Sequence, residues 1–233
     1  MDVLVIDVGG SNVKMRASAA PVTRKFGSDP ALTPEALVER VQQMTSDWQF
    51  EVISLGYPGL VARQVPEAEP GNLGDGWIGF DFSDAFGKPV RLINDAVMQA
   101  LGAYDGGRML FLGLGTGLGS ALVTEHVVVP LELGNLPFGS EVTMAECLGR
   151  QGLEQKGEAQ WRADVHRATT ALLHAFAADY VVLGGGNADR VDPLPEHTRR
   201  GGNEDAFTGG CRLWEEIVEP HDREAERAWR VVR

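Results

Sequence analysis

Residues 6–14 read IDVGGSNVK, and residues 112–120 read LGLGTGLGS. Each stretch follows a short apolar run and leads into a segment in which apolar and polar residues alternate. This order predicts a strand, a tight glycine turn and a second strand, which together form a β-hairpin. Because glycine allows positive φ and close backbone approach, the N–H groups of such a turn can surround a phosphate. Two such turns predict a cleft that holds a phosphate chain from both sides.

These stretches do not match the better-known phosphate-binding motifs. The P-loop spacing GxxxxGK[ST] is absent from the sequence. Neither stretch opens directly into a helix, as a dinucleotide-binding fingerprint requires. A single glycine-rich hairpin is weak evidence, so the prediction of phosphate binding depends on the pair of hairpins and on the aspartate before the first turn.

Composition and charge exclude several classes of protein. The chain has 233 residues, of which 43% are hydrophobic and 23% are charged, as in ordinary globular proteins. The formal net charge of −12 argues against general nucleic-acid binding, which needs a positive surface. The two cysteines, Cys147 and Cys211, fit no disulfide framework and no zinc spacing. No apolar stretch is long enough to span a bilayer, and a strand is expected from the first residues onward, so we expect a cytoplasmic protein without a leader.

The order of the expected elements indicates the same plan twice. Each half begins with a glycine-turn hairpin and a third strand, and continues with helices and a further strand. We predict an α/β protein with two lobes, residues 1–93 and 94–233, and an active site in the cleft between them. A long helical region is expected at roughly 141–178 and a final helix at about 211–230. Whether this final helix packs back on the N-terminal lobe is left open.

Six segments of the sequence, in order, resemble the ROK sugar kinases. They read DVGGSNVK from residue 7, GYPGLV from 56, NDAVMQALGAY from 94, LGLGTGLGSAL from 112, LELGN from 131 and VVLGGGNA from 181. This family has the actin/hexokinase/Hsp70-like ATPase fold, so the resemblance implies two ribonuclease H-like lobes. The polyphosphate glucokinase branch is the most similar, through NL at 72–73, WIG at 77–79 and PLELG at 130–134.

The resemblance implies a kinase that transfers a phosphoryl group from polyphosphate or ATP to the 6-hydroxyl of glucose, with Mg²⁺. The family tends toward homodimers. The cysteine-rich zinc motif that is common in ROK proteins is missing here, as it is in this branch, so no zinc is expected. One departure concerns the sugar, because the family's ELGH reads ELGN at 132–135, and Asn135 replaces a histidine that helps to hold the sugar.

Two aspartates are the candidates for the chemistry. Asp95 follows an apolar strand and precedes a helix, and the resemblance implies that it is the general base for the sugar hydroxyl. A residue at this place can also cap the helix, as can Asn94. Asp7 ends the first strand, where we expect it to hold Mg²⁺ through water, although an aspartate there can equally form a turn.

The phosphate-binding residues are expected in the two turns. The candidates are Gly9, Gly10, Ser11, Asn12 and Lys14 in the first hairpin, and Gly115, Thr116, Gly117 and Gly119 in the second. Lys14 can neutralise developing charge, or it can be an exposed lysine of the strand. Gly184, Gly185 and Gly186 follow a buried strand and are expected to pass under the nucleoside or a distal phosphate, unless they form an ordinary turn.

Amide and carboxylate side chains are expected to bind the sugar, because one such group can bond two adjacent hydroxyls. The candidates are Asn72, Asn94, Asp95, Glu132 and Asn135. Asn135 can replace the family histidine as a hydrogen-bond partner, but it cannot carry a proton near neutral pH.

Two other functions stay open. ELGN is also compatible with a sugar-binding or sugar-sensing protein that keeps the fold but has little kinase activity. A third hypothesis is a kinase of the same fold for another acceptor. The donor is open too, because the resemblance favours polyphosphate, whereas the net charge of −12 disfavours a long polyanion.

Overall fold

The computed structural model describes residues 1–20, 22–71, 73–125, 127–139, 141–202, 204–218, 226–228 and 230–231. The first part of the chain contains β1 (Val3–Val8), β2 (Asn12–Ala17), β3 (Arg24–Gly27), α1 (Pro34–Met44), β4 (Val52–Tyr57), β5 (Val61–Ala62), β6 (Val65–Pro66), α2 (Phe82–Phe86) and β7 (Val90–Asn94). The second part contains α3 (Asp95–Ala103), β8 (Arg108–Leu114), β9 (Leu118–Thr124), β10 (Val127–Leu131), α4 (Met144–Leu148), α5 (Arg150–Ala175), β11 (Tyr180–Gly184), β12 (Thr198–Arg200), α6 (Asp205–Arg212), β13 (Glu216–Val218), β14 (Glu226–Ala228) and β15 (Arg230–Val231). Short 3-10 helices lie at Leu133–Asn135 and Ala188–Arg190.

The two large sheets follow the same plan. The strand order is β3-β2-β1-β4-β7 in the first sheet and β12-β11-β8-β9-β10-β15 in the second. β1 pairs antiparallel with β2 and parallel with β4, and β8 pairs antiparallel with β9 and parallel with β11. Each sheet therefore places the first strand of its glycine-turn hairpin in the interior, which confirms the predicted α/β fold and its internal repetition.

Local sequence explains where the helices begin and break. The Thr33 hydroxyl accepts the N–H of Ala36 at 3.3 Å, and Pro34 occupies the first helical position of α1, as the sequence predicts. The helical region expected at 141–178 consists of α4 and α5, and α5 is kinked at Gly157, where φ is 75°. Glycine adopts this left-handed conformation without the steric cost that other residues incur.

The helix that begins at Asp95 is held against the first sheet by α6. A Cβ added at Gly209 of α6 would overlap the carbonyl oxygen of Met98 in α3, so this glycine permits the two helices to approach closely. The Ser54 hydroxyl in β4 donates to the carbonyl of Gly210 at 2.6 Å. Contacts between α6, α3 and the first sheet therefore determine where the first turn of α3 lies.

The prediction of a final helix at 211–230 is wrong. The last described helix is α6, and residues 216–218 and 226–228 form the antiparallel strands β13 and β14. Ile217 and Val218 are β-branched and favour extended backbone, which outweighs the helical spacing of charges in this segment.

The lobe boundary after residue 93 stays a prediction, although β7 completes the first sheet at Asn94. Among the described residues, no helix combines the length and the apolar character that crossing a membrane requires.

Candidate active site

Two aspartates lie at the carboxyl ends of neighbouring strands in the first sheet. β1, β4 and β7 run parallel, so their carboxyl ends lie along one edge. Asp7 in β1 lies opposite Gly56 in β4, and the next residue, Tyr57, lies opposite Asn94 at the end of β7. Asp95 follows as the first residue of α3. The structure therefore brings the predicted base and the predicted metal ligand to the same end of the sheet.

The position of the first turn of α3 depends on glycines in both sheets, which leave room for it. A Cβ added at Gly56 would lie 3.4 Å from the Cα of Asp95 and 2.5 Å from the Cε of Met98. A Cβ added at Gly119, which lies within β9, would lie 2.6 Å from the Cβ of Ala96. Packing against α3 thus accounts for the glycine at 119, and phosphate binding at this position stays a prediction.

Asn94 caps α3 and leaves Asp95 available. Its Oδ1 accepts the N–H groups of Ala96 at 2.9 Å and Val97 at 3.2 Å, and its Nδ2 donates to the carbonyl of Gly59 at 3.1 Å. Asp95 accepts the N–H of Ala96 at 2.8 Å through Oδ1 alone. Its Oδ2 accepts no hydrogen bond from any other described residue, so this oxygen is available to a hydroxyl of a ligand.

The surroundings of Asp95 disfavour its charged form. Burial raises the pKa of Asp95 to about 7, and the negative charge of Asp7, with a smaller contribution from Glu132, acts in the same direction. The N–H of Ala96 opposes this increase, because its hydrogen bond stabilises the carboxylate. A carboxylate with a pKa near neutrality can take up and release a proton at pH 7.

Asp7 is buried, with 8% of its surface exposed. Burial raises its pKa to about 6, and the nearby Lys14 ammonium opposes that increase. Its Oδ1 is buried and has no hydrogen-bond partner among the described residues. An unpartnered buried carboxylate oxygen is costly, and it is the kind of ligand that Mg²⁺ prefers.

The donor set around Asp7 fits Mg²⁺ bound together with a phosphate. The described residues contain no group of three or more His, Cys, Asp or Glu side chains that could hold a metal ion by themselves. Mg²⁺ commonly uses one or two carboxylates, retains water, and takes its remaining ligands from substrate phosphates. A single buried carboxylate such as Asp7 is compatible with this mode of binding, and Mg²⁺ binding by Asp7 stays a prediction.

The first glycine turn is held by its own backbone and by Ser28, which follows β3. The N–H of Gly9 donates to the carbonyl of Asn12 at 3.0 Å. Ser28 donates its N–H to the carbonyl of Ser11 at 3.0 Å and its hydroxyl to the carbonyl of Gly9 at 2.6 Å. The turn thus uses the N–H of Gly9, whereas no hydrogen bond among the described residues uses the N–H of Gly10.

The second glycine turn is held by groups from outside the hairpin. The N–H of Gly115 is shared between the carbonyls of Gly113 and Gly117, at 3.1 and 3.2 Å. The carbonyl of Gly115 accepts the N–H of Arg150 at 3.0 Å and the Nδ2 of Asn187 at 3.4 Å. Sequence reasoning missed both residues. Asn187 directly follows the glycine triplet, which is a usable signal, whereas nothing local distinguishes Arg150.

The glycine triplet lies beside the second turn, because β11 pairs with β8. A Cβ added at Gly184 would lie 2.7 Å from the Cε2 of Phe111, and one at Gly185, where φ is 78°, would lie 2.8 Å from the backbone of Leu114. Gly186 faces open space, with nothing within 4 Å of an added Cβ. Close packing therefore accounts for the first two glycines, and only the third leaves room for a ligand.

Glu132 is the sugar candidate that acts electrostatically on Asp95. Partial desolvation of its carboxylate raises the pKa of Glu132, although the residue as a whole is exposed, and its charge contributes to the raised pKa of Asp95. Asn135 ends the 3-10 helix that follows Glu132, is exposed, and donates its N–H to the Glu132 carbonyl at 3.1 Å. Asn72 lies outside the described residues.

Sequence comparison identifies relatives of one kind. A polyphosphate glucokinase of Mycobacterium leprae (strain TN) is 27% identical to the chain in an alignment 217 residues long, which covers 82% of this chain and 66% of the relative. The chain thus spans about two thirds of that relative's length. No model of a protein family matches the sequence.

Comparison with solved structures also finds sugar kinases. An inorganic polyphosphate/ATP-glucomannokinase from Arthrobacter sp. strain KM has a TM-score of 0.77 and 22% identity, with 89% of this chain and 96% of the other covered. The chain has the fold of the ROK kinases. A ROK family glucokinase from Streptomyces griseus, solved with glucose and AMPPNP, has a TM-score of 0.69 and 16% identity over 90% of this chain and 97% of the other. The predicted resemblance to ROK sugar kinases of the polyphosphate glucokinase type is confirmed.

Proposed function

We propose that this chain is a sugar kinase that transfers a phosphoryl group from polyphosphate or ATP to the 6-hydroxyl of glucose. The relatives support this class of reaction, since those described above are glucokinases and a glucomannokinase. The observation that carries the proposal is the pair of carboxylates, Asp7 and Asp95, at the strand ends beside two glycine-turn hairpins.

Asp95 is the proposed general base. Phosphoryl transfer needs a group that orients the attacking hydroxyl and takes its proton. The raised pKa of about 7 makes Asp95 a stronger base than an ordinary aspartate and keeps a useful fraction of it ionised near neutral pH. The cap at Asn94 holds the start of α3, so the available Oδ2 of Asp95 has a defined position.

The donor phosphates are proposed to bind between the two turns. Asp7 would hold Mg²⁺ through water, and the ion, when bound, neutralises charge on the phosphates. Lys14 adds a positive charge close to Asp7. The N–H of Gly10 and the exposed hydroxyl of Thr116 are donors that a phosphate oxygen can accept from.

The sugar is proposed to bind on the other side of Asp95, through Asn94, Glu132 and Asn135. Glu132 is the best supported of the three, because its charge reaches Asp95. Sugar binding by Asn72, homodimer formation and a cytoplasmic location stay predictions from the resemblance.

A coupled glucose-6-phosphate assay with Mg²⁺, run in parallel with ATP and with polyphosphate, tests the proposal. We expect turnover with at least one donor, and Asp95→Asn protein is the control for contaminating kinases. No turnover from protein whose melting temperature glucose raises would contradict the kinase proposal and favour a sugar-binding protein, in which exposed Asn135 stands at the place of the family histidine. If glucose gives neither turnover nor stabilisation, a screen of other acceptors follows.

A further inference from the structure

The arginine at the start of α5 contacts both glycine turns. The N–H of Arg150 donates to the carbonyls of Gly115, at 3.0 Å, and Thr116, at 3.3 Å, in the second turn. Its Nη2 lies 3.5 Å from the Oγ of Ser11 in the first turn. One residue thus connects the two turns, and no motif in the sequence assigns it a role.

The contact with the second turn is made by the backbone. A Cβ added at Gly149, the preceding residue, would lie 2.6 Å from the carbonyl oxygen of Thr116 and 3.0 Å from the Cα of Gly117. Only glycine allows the start of α5 to come this close. Because the N–H of Arg150 makes the attachment whatever the side chain, the guanidinium is not needed to hold the second turn.

The guanidinium has no acidic partner in the described part of the chain. Arg16, Arg24 and Arg162 each pair with a carboxylate, whereas no described carboxylate lies within ion-pair distance of Arg150. The residue is exposed, in a chain whose net charge is −12. Arginine presents a planar set of donors that matches the oxygens of a phosphate. Its place between two turns with exposed backbone therefore favours an anion with phosphate oxygens.

The contacts of Arg150 with both turns indicate where such an anion would lie. Its backbone N–H is attached to the second turn, and its guanidinium lies beside Ser11 of the first. A phosphate chain that is held between the two turns would therefore pass the guanidinium.

We propose that the guanidinium of Arg150 binds the phosphate chain of the phosphoryl donor, and so joins the two glycine turns around the donor. This inference rests on the proposed kinase function, and it concerns the phosphate chain that ATP and polyphosphate share. Arg150 is a binding residue in this proposal, so its loss affects the donor and not the sugar.

The test compares Arg150→Met and Arg150→Lys with Arg167→Met, a control on the same helix that removes the same charge. Arg167 lies beyond the kink at Gly157, pairs with Asp164 and lies over Phe138, and neither of these partners belongs to a glycine turn. Calorimetry with inorganic tripolyphosphate, and separately with ATP and Mg²⁺, measures donor binding without turnover. Steady-state kinetics then give the donor KM, the glucose KM and kcat.

We expect Arg150→Met to raise the Kd for tripolyphosphate and the donor KM by about tenfold or more, the size of one lost charged hydrogen bond, with the glucose KM nearly unchanged. Arg150→Lys keeps the charge but loses the planar set of donors. Its donor Kd should therefore lie between those of the wild type and Arg150→Met. Arg167→Met should match the wild type. A rise with both donors assigns Arg150 to the shared phosphate chain, and a rise with tripolyphosphate alone assigns it to polyphosphate.

A donor Kd that Arg150→Met leaves at the wild-type value would overturn the inference, as would an equal rise in the glucose KM, which indicates a structural role. Thermal unfolding shows whether each variant folds. If Arg150→Met does not fold, the donor Kd of Arg150→Lys decides whether the guanidinium binds the donor. Binding is measured directly, so a chain that phosphorylates no sugar would refute the proposed function and still report whether Arg150 binds the phosphates.

Discussion

The two glycine-rich hairpins are similar in sequence and differ in what surrounds them. The first carries the charges, because Asp7 and Lys14 lie opposite each other on β1 and β2. The turn of the second, residues 113–119, has no charged residue and is held by Arg150 and Asn187 from elsewhere in the chain. The first hairpin is therefore suited to a metal ion and the reacting phosphate. The second offers backbone groups and is held in place by residues that are distant in the chain.

The largest effect is expected at Asp95, where the hairpins converge. Its carboxylate responds to Asp7 of the first hairpin, and the next residue, Ala96, packs on Gly119 of the second. Asp95→Asn keeps the shape and removes the base, so we expect kcat to fall by about 10³ or more while glucose affinity barely changes. Kinetics and glucose calorimetry check this. A variant that keeps about a tenth of wild-type turnover would exclude Asp95 as the base.

The second-largest effect is expected at Asp7, and it distinguishes the charged first hairpin from the uncharged turn of the second. Asp7→Asn removes the carboxylate proposed for Mg²⁺, so we expect kcat to fall by about 10² and the Mg²⁺ requirement to rise. Thr116→Val, in the turn of the second hairpin, is the matched control and should leave that requirement unchanged. Titration of activity with Mg²⁺ at saturating glucose measures both. The same Mg²⁺ dependence for Asp7→Asn and wild type would place the ion elsewhere.

A third comparison separates packing against the second hairpin, at Gly149, from ligand binding by its turn, at Gly115. A Cβ at Gly149 would lie 2.6 Å from the carbonyl oxygens of Ala145 and Thr116, whereas a Cβ at Gly115 meets nothing within 4 Å. We expect Gly149→Ala to lower the free energy of unfolding by about 1–3 kcal/mol, because backbone must move. Gly115→Ala should leave stability nearly unchanged and raise the donor KM. Urea unfolding and donor kinetics test both, and unchanged donor KM in Gly115→Ala would remove that residue from the phosphate site.

The smallest effect is the pH dependence of stability without Mg²⁺ or donor. In the folded chain the pKa values of Asp7 and Asp95 are raised from 3.8 to about 6 and about 7. Between about pH 4 and pH 7 the folded state holds protons that the unfolded chain has released, so the free energy of unfolding falls as pH rises. The melting temperature of Asp95→Asn should therefore fall less than that of the wild type between about pH 5 and pH 8. Parallel curves of melting temperature against pH for the wild type and Asp95→Asn would contradict the raised pKa of Asp95.

The elements that sequence predicts well are those that depend on neighbouring residues. The two hairpins follow from glycines between apolar runs, and the start of α1 follows from Thr33 and Pro34, which act within one helical turn. Asp95 is found because it follows an apolar strand and matches a motif. The helix expected at 211–230 failed because spacing of charges is a weaker signal than the β-branched pair Ile217 and Val218.

Sequence by itself determined the repeated hairpin plan, the presence of a helix cap at Asn94 or Asp95, and the two aspartates near strand ends, because each is encoded within a few residues. Tertiary structure alone decided the burial that raises the pKa of Asp95, the action of Glu132 on it, the unpartnered oxygen of Asp7, and the place of Arg150 between the two turns. Each of these depends on residues that are distant in the chain. The physical reason is that desolvation, charge and close packing act through space, and only the assembled sheets bring those residues together.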